Sequence, residues 1–300
     1  MLLAHPLTPF VDRLTIPPRR VFAEPARLAV RLEATTHRFH RDLAPSGVWT
    51  YDGHLPGPTI EVRRGVPLEI RWDNRLSGTL PVVVTVAPSG KADGVPVQCL
   101  PGRSGGDADP SAAALTGFSV VHLHGAVTHA SSDGWAENLA APGQATLDLY
   151  PNEQRAAMLW YHDHVMGVTR FKVYAGLAGL WIVHLDSFQV LGRQPAAVTL
   201  AEDGITATGT SATVDIGQRI DDGIPHALDD NELGLKDTVR VNANEVVDIA
   251  VRFSSFAGRY MYHCHILEHE DRDMMRPFVI MPAELMPFMD MNMAAGHGEM

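Results

Sequence analysis

The chain consists mainly of short apolar segments, rich in Val, Ile, Leu, Tyr and Trp, which Gly, Pro, Asn or Asp separate roughly every 8–15 residues. This rhythm is typical of β-strands joined by turns, and few long segments with a helical period compete with it. The sequence therefore predicts an all-β protein. The predicted strands are residues 27–32, 59–71, 80–86, 118–123, 145–149, 157–162, 180–185, 188–191, 238–241, 245–253, 258–263 and 277–281.

Two similar units indicate an internal repeat. In each of them an apolar strand leads into a histidine pair, as LWYHDH at 159–164 and as YMYHCH at 260–265. Such similarity within one chain indicates two copies of one kind of β-domain. We predict a first domain at residues 1–183, a partial second domain at residues 184–285 and a methionine-rich tail at residues 286–300.

Composition and charge limit the classes of partner. The 300 residues include 24 basic and 35 acidic side chains, for a formal net charge of −11. This balance disfavours nucleic acid and anionic membranes and favours cationic species, metal ions among them. No apolar run approaches the ~18–20 residues of a membrane-spanning helix, and the start of the chain lacks the pattern of a signal peptide, so we expect a cytoplasmic protein. The two cysteines, Cys99 and Cys264, are too few for a disulfide framework.

Histidine is unusually frequent, with 15 residues in the chain, and its spacing indicates a metal site. On a strand, residues two apart face the same side, so a His-x-His pair presents two imidazoles to one site. A single pair is more often an exposed histidine cluster, but three pairs on three predicted strands favour metal binding. The pairs are His122 with His124, His162 with His164, and His263 with His265.

The third pair carries additional chemistry. Cys264 lies between its two histidines and therefore faces the opposite side of the strand, and His269 and Met274 follow. A thiolate, an imidazole and a thioether are three of the four ligands of a blue-copper centre. A lone Cys264 would be interpreted as a buried inert thiol, but within HCHILEHEDRDM the copper interpretation is favoured.

These motifs resemble those of the multicopper oxidases. HLHG, WYHDH and HCHILEHEDRDMMRP carry the family resemblance, and YDGHLPGPTIEVRRG, SDGW and FVDRLTIPP are similar to the branch of spore-coat laccases, bilirubin oxidases and phenoxazinone synthases. The resemblance spans roughly residues 8–195 and 235–283. It implies cupredoxin-like Greek-key β-barrels that oxidise phenols, aromatic amines, bilins or metal ions one electron at a time. It also implies reduction of O₂ to water at a cluster of three copper ions.

Carried over by motif, the resemblance implies ligands for type 1, type 2 and binuclear type 3 copper. His122 would bind the type 2 ion, and Cys264, His269 and Met274 would bind the type 1 ion. The type 3 pair would be bound by His124, His162, His164, His263 and His265. Asp133 and Glu270 match acids that the family places near the cluster as proton donors or relays, and each is equally well explained as a solvated carboxylate. The candidate catalytic residues are therefore Cys264, Asp133 and Glu270.

The chain departs from the family at a fourth motif, HPxHxH. The strand that follows this motif is present as LDSFQVLGRQP at 185–195, but AGLAGLWIVH precedes it, which resembles the end of the family's first domain. Aligned on the strand, His184 takes the place of the last histidine, whereas Ile182 and Gly179 occupy the type 2 and type 1 positions. His184 is then either a metal ligand or an ordinary surface histidine. Water or His226 would have to complete the type 1 site.

The departure has a consequence for folding, because the family's middle domain and the first strands of its last domain are absent. A partial barrel leaves strand edges and an apolar face that favour pairing with another chain. We therefore expect a homo-oligomer. Two-domain relatives are trimers, which by resemblance points the same way.

We expect a laccase-like oxidase whose partners are O₂ and a small aromatic or metal-ion reductant, with activity lowered by the missing ligands. The alternative is a copper-binding or copper-sequestering protein that has lost turnover, and the methionine-rich tail fits it slightly better. A metal hydrolase is disfavoured because no HExxH motif is present. Association with a spore coat is a further expectation from the resemblance.

Overall fold

The protein is described here by a computed structural model, which covers residues 7–84, 109–184, 214–221, 224–226, 238–242, 245–251, 253, 256–271, 274–282 and 284. Strands dominate these residues, and the helical segments are short. The predicted all-β class is confirmed. The predicted strand at 188–191, Cys99 and the methionine-rich tail lie outside the described residues.

The first half of the chain forms two sheets that pack face to face. The five-stranded sheet has the order β1 (Arg19–Phe22), β4 (Gly57–Arg63), β9 (Ala178–His184), β8 (Ala157–Asp163) and β6 (Val121–His124). The four-stranded sheet has the order β3 (Ser46–Tyr51), β2 (Ala26–His37), β5 (Leu68–Arg75) and β7 (Ala145–Tyr150). Parallel and antiparallel pairs mix in both sheets, so the chain crosses repeatedly from one sheet to the other.

The core between these sheets is rich in aromatic side chains. Trp49, Trp72 and Trp181 are at most 2% exposed, and the ring of Tyr161 lies 4.9 Å from that of Tyr51 in an edge contact. Complete burial of each such side chain stabilises the fold by roughly 1.5–3 kcal/mol. The inward positions alternate along β9, as expected for a strand with one face on the core.

The second half forms two smaller sheets. One contains β10 (Val214–Asp221), β11 (Ile224–His226) and β12 (Glu245–Val251), and the other contains β13 (Gly258–His263) and β14 (Met275–Ile280). This arrangement agrees with the predicted fold of one complete cupredoxin-like barrel and one partial barrel. Three short α-helices and one turn of 3₁₀ helix (Ala130–Ser132) complete the described structure, and the α-helices are α1 (Pro110–Ala113), α2 (Thr169–Ala175) and α3 (Leu267–Glu270).

The predicted strand at 59–71 is divided into β4 and β5 by a turn at 64–67, and two further predicted strands are wrong. Residues 80–84 are irregular, because Pro81 has no N–H to donate to a ladder, and Leu80 instead bonds to the carbonyl of Leu115. Residues 238–241 form no strand, and they pair with no strand among the described residues. Within the described part of the chain, no helix has the length and apolar character needed to cross a membrane.

Candidate metal centre

The four histidines of the first two His-x-His pairs lie close together because β6 and β8 are antiparallel neighbours. The register places His122 directly opposite His162, so their side chains leave the same face of the sheet. Their ring centroids lie 5.4 Å apart, and the ring of His164 lies 4.8 Å from that of His122. His124 completes a group whose ligand atoms, with those of His122 and His162, all lie within 4.8 Å of one another.

The third histidine pair reaches this patch from the other half of the chain. Nε2 of His263 lies 3.3 Å from Nε2 of His164. Nε2 of His265 lies 3.1 Å from Nδ1 of His124. The three His-x-His pairs therefore converge on one cluster that both halves build.

The donor atoms fit bound metal ions. Two imidazole nitrogens that share one ion at about 2.0–2.1 Å, with an angle near the tetrahedral value, lie about 3.3 Å apart, close to the separations between the two halves. Nε2 of His162 is buried and has no hydrogen-bond partner within the described structure. Its lone pair is therefore available to bind a metal ion. Imidazole is a good ligand for copper and zinc, and the thiol in the adjacent motif favours copper.

Burial keeps most of these imidazoles neutral, which is the form that binds metal. Desolvation lowers the pKa of His122 to about 3, against the opposing effect of the Asp133 carbonyl. Desolvation also lowers the pKa of His162, His164 and His265, and neighbouring imidazoles add to the effect. At His263 burial lowers the pKa, but the Glu270 carboxylate and other acceptors outweigh it and leave the pKa raised.

Asp133 is held against His122 by the turn that contains it. The backbone carbonyl of Asp133 accepts a hydrogen bond from Nδ1 of His122, and its carboxylate Oδ1 lies 3.8 Å from the same nitrogen. Gly134 has a φ of +79°, and a Cβ there would lie 2.4 Å from the carbonyl oxygen of Val121, so only glycine lets the turn lie this close to β6. Burial raises the pKa of Asp133 to about 7, with a contribution from Asp148.

Glu270 enters the cluster from α3. It is 1% exposed, and its carboxylate lies 3.5 Å from Nε2 of His164 and 3.1 Å from Nδ1 of His263. These are ion-pair distances without the alignment of hydrogen bonds, and neither carboxylate oxygen has a hydrogen-bond partner in the described structure.

The segment predicted to hold type 1 copper is closed by backbone hydrogen bonds. The N–H of Cys264 donates to the carbonyl of Met274 at 3.0 Å, and the N–H of Met274 donates to the carbonyl of His269 at 3.1 Å. Sγ of Cys264 lies 3.7 Å from Nδ1 of His269, whereas Met274 is 54% exposed. The thiol and one imidazole are therefore together, and Met274 stands near them at the surface.

His184 lies apart from the other candidate histidines. It lies six residues along β9 from Ala178, the partner of His162, which is about 20 Å at ~3.3 Å per residue. Nε2 of His184 lies 2.9 Å from Oε2 of Glu61, which also pairs with Arg19. In this structure His184 therefore pairs with Glu61 at the end of β9 away from the cluster.

Gly179 lies in the same strand, with no room for an imidazole, because a Cβ there would be 2.1 Å from the Tyr161 ring. Three ligands of the HPxHxH motif are therefore not supplied by β9.

Sequence reasoning missed the support beneath the cluster. Asp163 points away from its histidine neighbours and accepts a hydrogen bond from Oγ of Ser119 at 2.7 Å. Nζ of Lys172 lies 3.7 Å from the same carboxylate and donates to the carbonyl of Phe118. The central Asp of WYHDH was the only signal for this network, since lysine is rarely buried and nothing in the sequence distinguishes Lys172.

Two family models, both described as multicopper oxidase, match the chain, one at residues 33–104 and 114–187 and the other at residues 183–284. The laccase of Bacillus subtilis is 38% identical over 192 residues, which is 59% of this chain and 34% of that protein. The bilirubin oxidase of Albifimbria verrucaria is 33% identical over 154 residues, or 51% of this chain and 20% of that protein.

The chain thus spans about a third of the length of the bacterial laccases it matches. A crystal structure of a laccase from Pediococcus acidilactici superposes with a TM-score of 0.60 at 15% identity. That superposition covers 92% of this chain and 95% of the other, and it shows a shared fold.

Proposed function

We propose a copper-dependent oxidase function for this chain, which belongs to the multicopper oxidase family. The reaction is the one-electron oxidation of a phenolic or related small reductant, coupled to reduction of O₂ to water. The observation that carries the proposal is the convergence of six histidines from two separate halves, with Cys264 placed between two of them. Four such oxidations supply the four electrons that one O₂ requires, together with four protons.

Some residues of the chain would bind copper, and one would connect the two copper sites. The six histidines of the cluster would hold copper, which supplies reversible one-electron chemistry and a site for O₂. Cys264 and His269 would hold the copper that accepts electrons from the reductant. Because Cys264 is joined covalently to both His263 and His265, a single residue connects the surface-facing thiol site with the buried cluster.

Two acids are placed to deliver the protons that O₂ reduction consumes. Asp133 lies beside His122, and its raised pKa, near 7, lets its carboxyl group carry a proton near neutral pH. Glu270 lies beside His164 and His263. Asp133 is carried by the turn that holds it against His122, and Glu270 by the short helix α3.

The missing histidines set the expected level of activity. Gly179 takes the position of the second type 1 imidazole, and no other described residue supplies that imidazole. The site of Cys264 and His269 is therefore more open than a complete type 1 site. We propose weak oxidase activity and a faint blue colour. A copper-binding protein without turnover is the second candidate, favoured by the same open site.

Substitution of Cys264 by Ser tests the function. The variant should lose oxidation of a phenolic substrate and the accompanying O₂ consumption, while it retains most of its bound copper, because the thiol is not a ligand of the buried cluster. Copper content, visible absorption and O₂ uptake should be measured on both proteins. If both turn over equally, electrons do not pass through Cys264. If the wild type binds copper without turnover, the sequestering function is the correct one.

Assembly and location complete the proposal. We propose a homo-oligomer, because several large apolar side chains of the second half are more than half exposed, among them Val246, Tyr262 and Val279. A cytoplasmic location is proposed from the sequence pattern alone, and the negative charge supports an absence of nucleic-acid and membrane partners.

A further inference from the structure

The two halves of the histidine cluster differ in their supply of imidazoles. His124, His162 and His265 bring three rings to one side. On the other side, the ligand atoms of His164 and His263 are grouped with a carboxylate, that of Glu270, and all three lie within 4.8 Å of one another. His122 lies between the two groups: its ring is 4.8 Å from that of His164, but its ligand atom is grouped with those of His124 and His162. Among the described residues, the second group of three ligand atoms therefore contains two imidazoles and one carboxylate.

From this difference we propose that Glu270 is a metal ligand, so that His164, His263 and Glu270 form a two-histidine, one-carboxylate site for a divalent ion. This inference rests on the proposed copper function. It assigns to Glu270 a direct bond to the ion in place of a third imidazole, which the described residues do not bring into this group.

The distances around this site fit one shared ion. Nε2 of His164 lies 3.3 Å from Nε2 of His263 and 3.5 Å from Oε1 of Glu270. Donors at about 2.0–2.2 Å from an ion have such separations when the angles between them are about 105–115°. Nδ1 of His263 faces the carbonyl of Cys264 at 3.2 Å and Oε2 of Glu270 at 3.1 Å, so Nε2 of His263 and Oε1 of Glu270 are the atoms that face His164 and the ion.

The burial of Glu270 is the second, independent observation. A carboxylate that is 1% exposed without hydrogen-bond partners costs several kcal/mol of desolvation unless a cation compensates it. Within the described structure, the imidazoles of His164 and His263 are its closest ionisable neighbours, and Arg170 pairs instead with Asp271. A divalent ion between these three residues would neutralise the charge and use the free oxygen lone pairs.

The chemistry of the donors predicts a preference among oxidation states. An oxygen ligand favours the harder Cu(II), whereas a site of imidazoles alone also accommodates Cu(I). We therefore expect the ion at this position to be harder to reduce than the ion held by His124, His162 and His265.

The test counts copper ions in the full chain. The metal-free protein should be loaded with Cu²⁺, dialysed against a weak chelator and analysed for metal content, together with Glu270→Gln and the matched control Glu268→Gln. Glu268 lies in the same short helix, but it is exposed. We expect Glu270→Gln to hold one copper fewer per chain, with the affinity of that ion reduced at least about 100-fold, and Glu268→Gln to match the wild type.

A second variant and a spectroscopic measurement keep the test independent of turnover. Glu270→Asp retains the charge but withdraws the carboxylate by about 1.5 Å, so it should also lose the ion if the bond is direct. In electron paramagnetic resonance, the wild type should show a Cu(II) signal with nitrogen coupling to two imidazoles. This signal should be absent from Glu270→Gln. Circular dichroism of the metal-free variants checks that they fold.

Three outcomes would overturn the proposal. An unchanged copper count in Glu270→Gln would restrict Glu270 to proton transfer, and normal binding by Glu270→Asp would restrict it to a charge effect. Loss of the same ion from His226→Ala, with Glu270→Gln unaffected, would identify an imidazole as the third ligand. If the wild type binds copper but oxidises nothing, the proposed function fails and the copper count still tests Glu270.

Discussion

Asp163 separates His162 from His164 and points to the opposite side of β8, where it is fully buried with Lys172. Desolvation raises the pKa of Asp163 and lowers that of Lys172, and in each case the partner's charge opposes the effect. A buried pair of this kind contributes little net stability, but removal of one partner leaves the other as an uncompensated charge. The pair fixes the strand that carries both histidines.

We expect Lys172→Met to lower the free energy of unfolding of the metal-free protein by about 3–5 kcal/mol, because it leaves the Asp163 carboxylate unpaired. The double variant with Asp163→Asn should recover more than half of the loss. Urea denaturation monitored by tryptophan fluorescence measures both. Equal losses in the single and double variants would show that Lys172 acts through packing rather than charge.

At the residue scale, the sequence predicts ligands better than it predicts their support. The three His-x-His pairs are predictable because a strand places residues two apart on one face. The buried ion pair of Lys172 is not predictable, because its partner depends on the packing of α2 against β8. The sequence left His184 open as a ligand or a surface histidine, because alignment with a strand does not reveal distance, and the structure places it at the far end of β9.

Asp271, which directly follows α3, joins the two halves of the chain through a contact with the start of α2. Its carboxylate accepts hydrogen bonds from the N–H groups of Thr169 and Arg170, at 2.9 and 3.0 Å, at the start of α2. The donors lie in the first barrel, and the acceptor directly follows α3, which carries Glu270. The same contact therefore caps one helix and positions the other beside the cluster.

Asp271→Ala should destabilise the metal-free protein by about 1–3 kcal/mol, because two backbone donors lose their acceptor in a partly buried site. Hydrogen exchange at Thr169 and Arg170 should accelerate, and copper binding by the cluster should weaken as α3 loses its anchor. The exposed Glu268 provides the control, since Glu268→Ala removes a charge from the same segment without this contact. Unchanged exchange at Thr169 would contradict the capping role.

At the element scale, sequence patterns succeed where a strand has one buried face. The alternation in β9 and the apolar run of β8 are both visible in the sequence. The strand β3 was missed because its first two residues are Ser46 and Gly47, which are typical of turns, and its partner β2 is needed to explain it. The strand β10 lies within a polar stretch, and its pairing with β12 could not be inferred from hydrophobicity.

At the scale of the whole molecule, the two halves bury their apolar side chains very differently. Among the residues whose side chains are described, which excludes those of β10 and β11, every buried hydrophobic side chain except Met275 lies at or before Val183. In the second half, exposed fractions reach 62% at Tyr262 and at Val279. We therefore expect the stability of this partial barrel to depend on its contacts with the first barrel, on bound metal ions and on another copy of the chain.

The melting temperature should therefore rise with both protein concentration and copper. A ligand that binds only the folded state adds RT ln(1 + [L]/Kd), about 2.7 kcal/mol at a hundredfold excess over Kd. Val279→Lys should weaken the concentration dependence, whereas Leu147→Lys, at an equally exposed position of the first barrel, should leave it unchanged. Scanning calorimetry across a hundredfold range of protein concentration, with copper and with a chelator, measures both effects. A sharp, concentration-independent transition of a copper-free monomer would contradict this view, because it would mean that the second half is stable on its contacts with the first barrel alone.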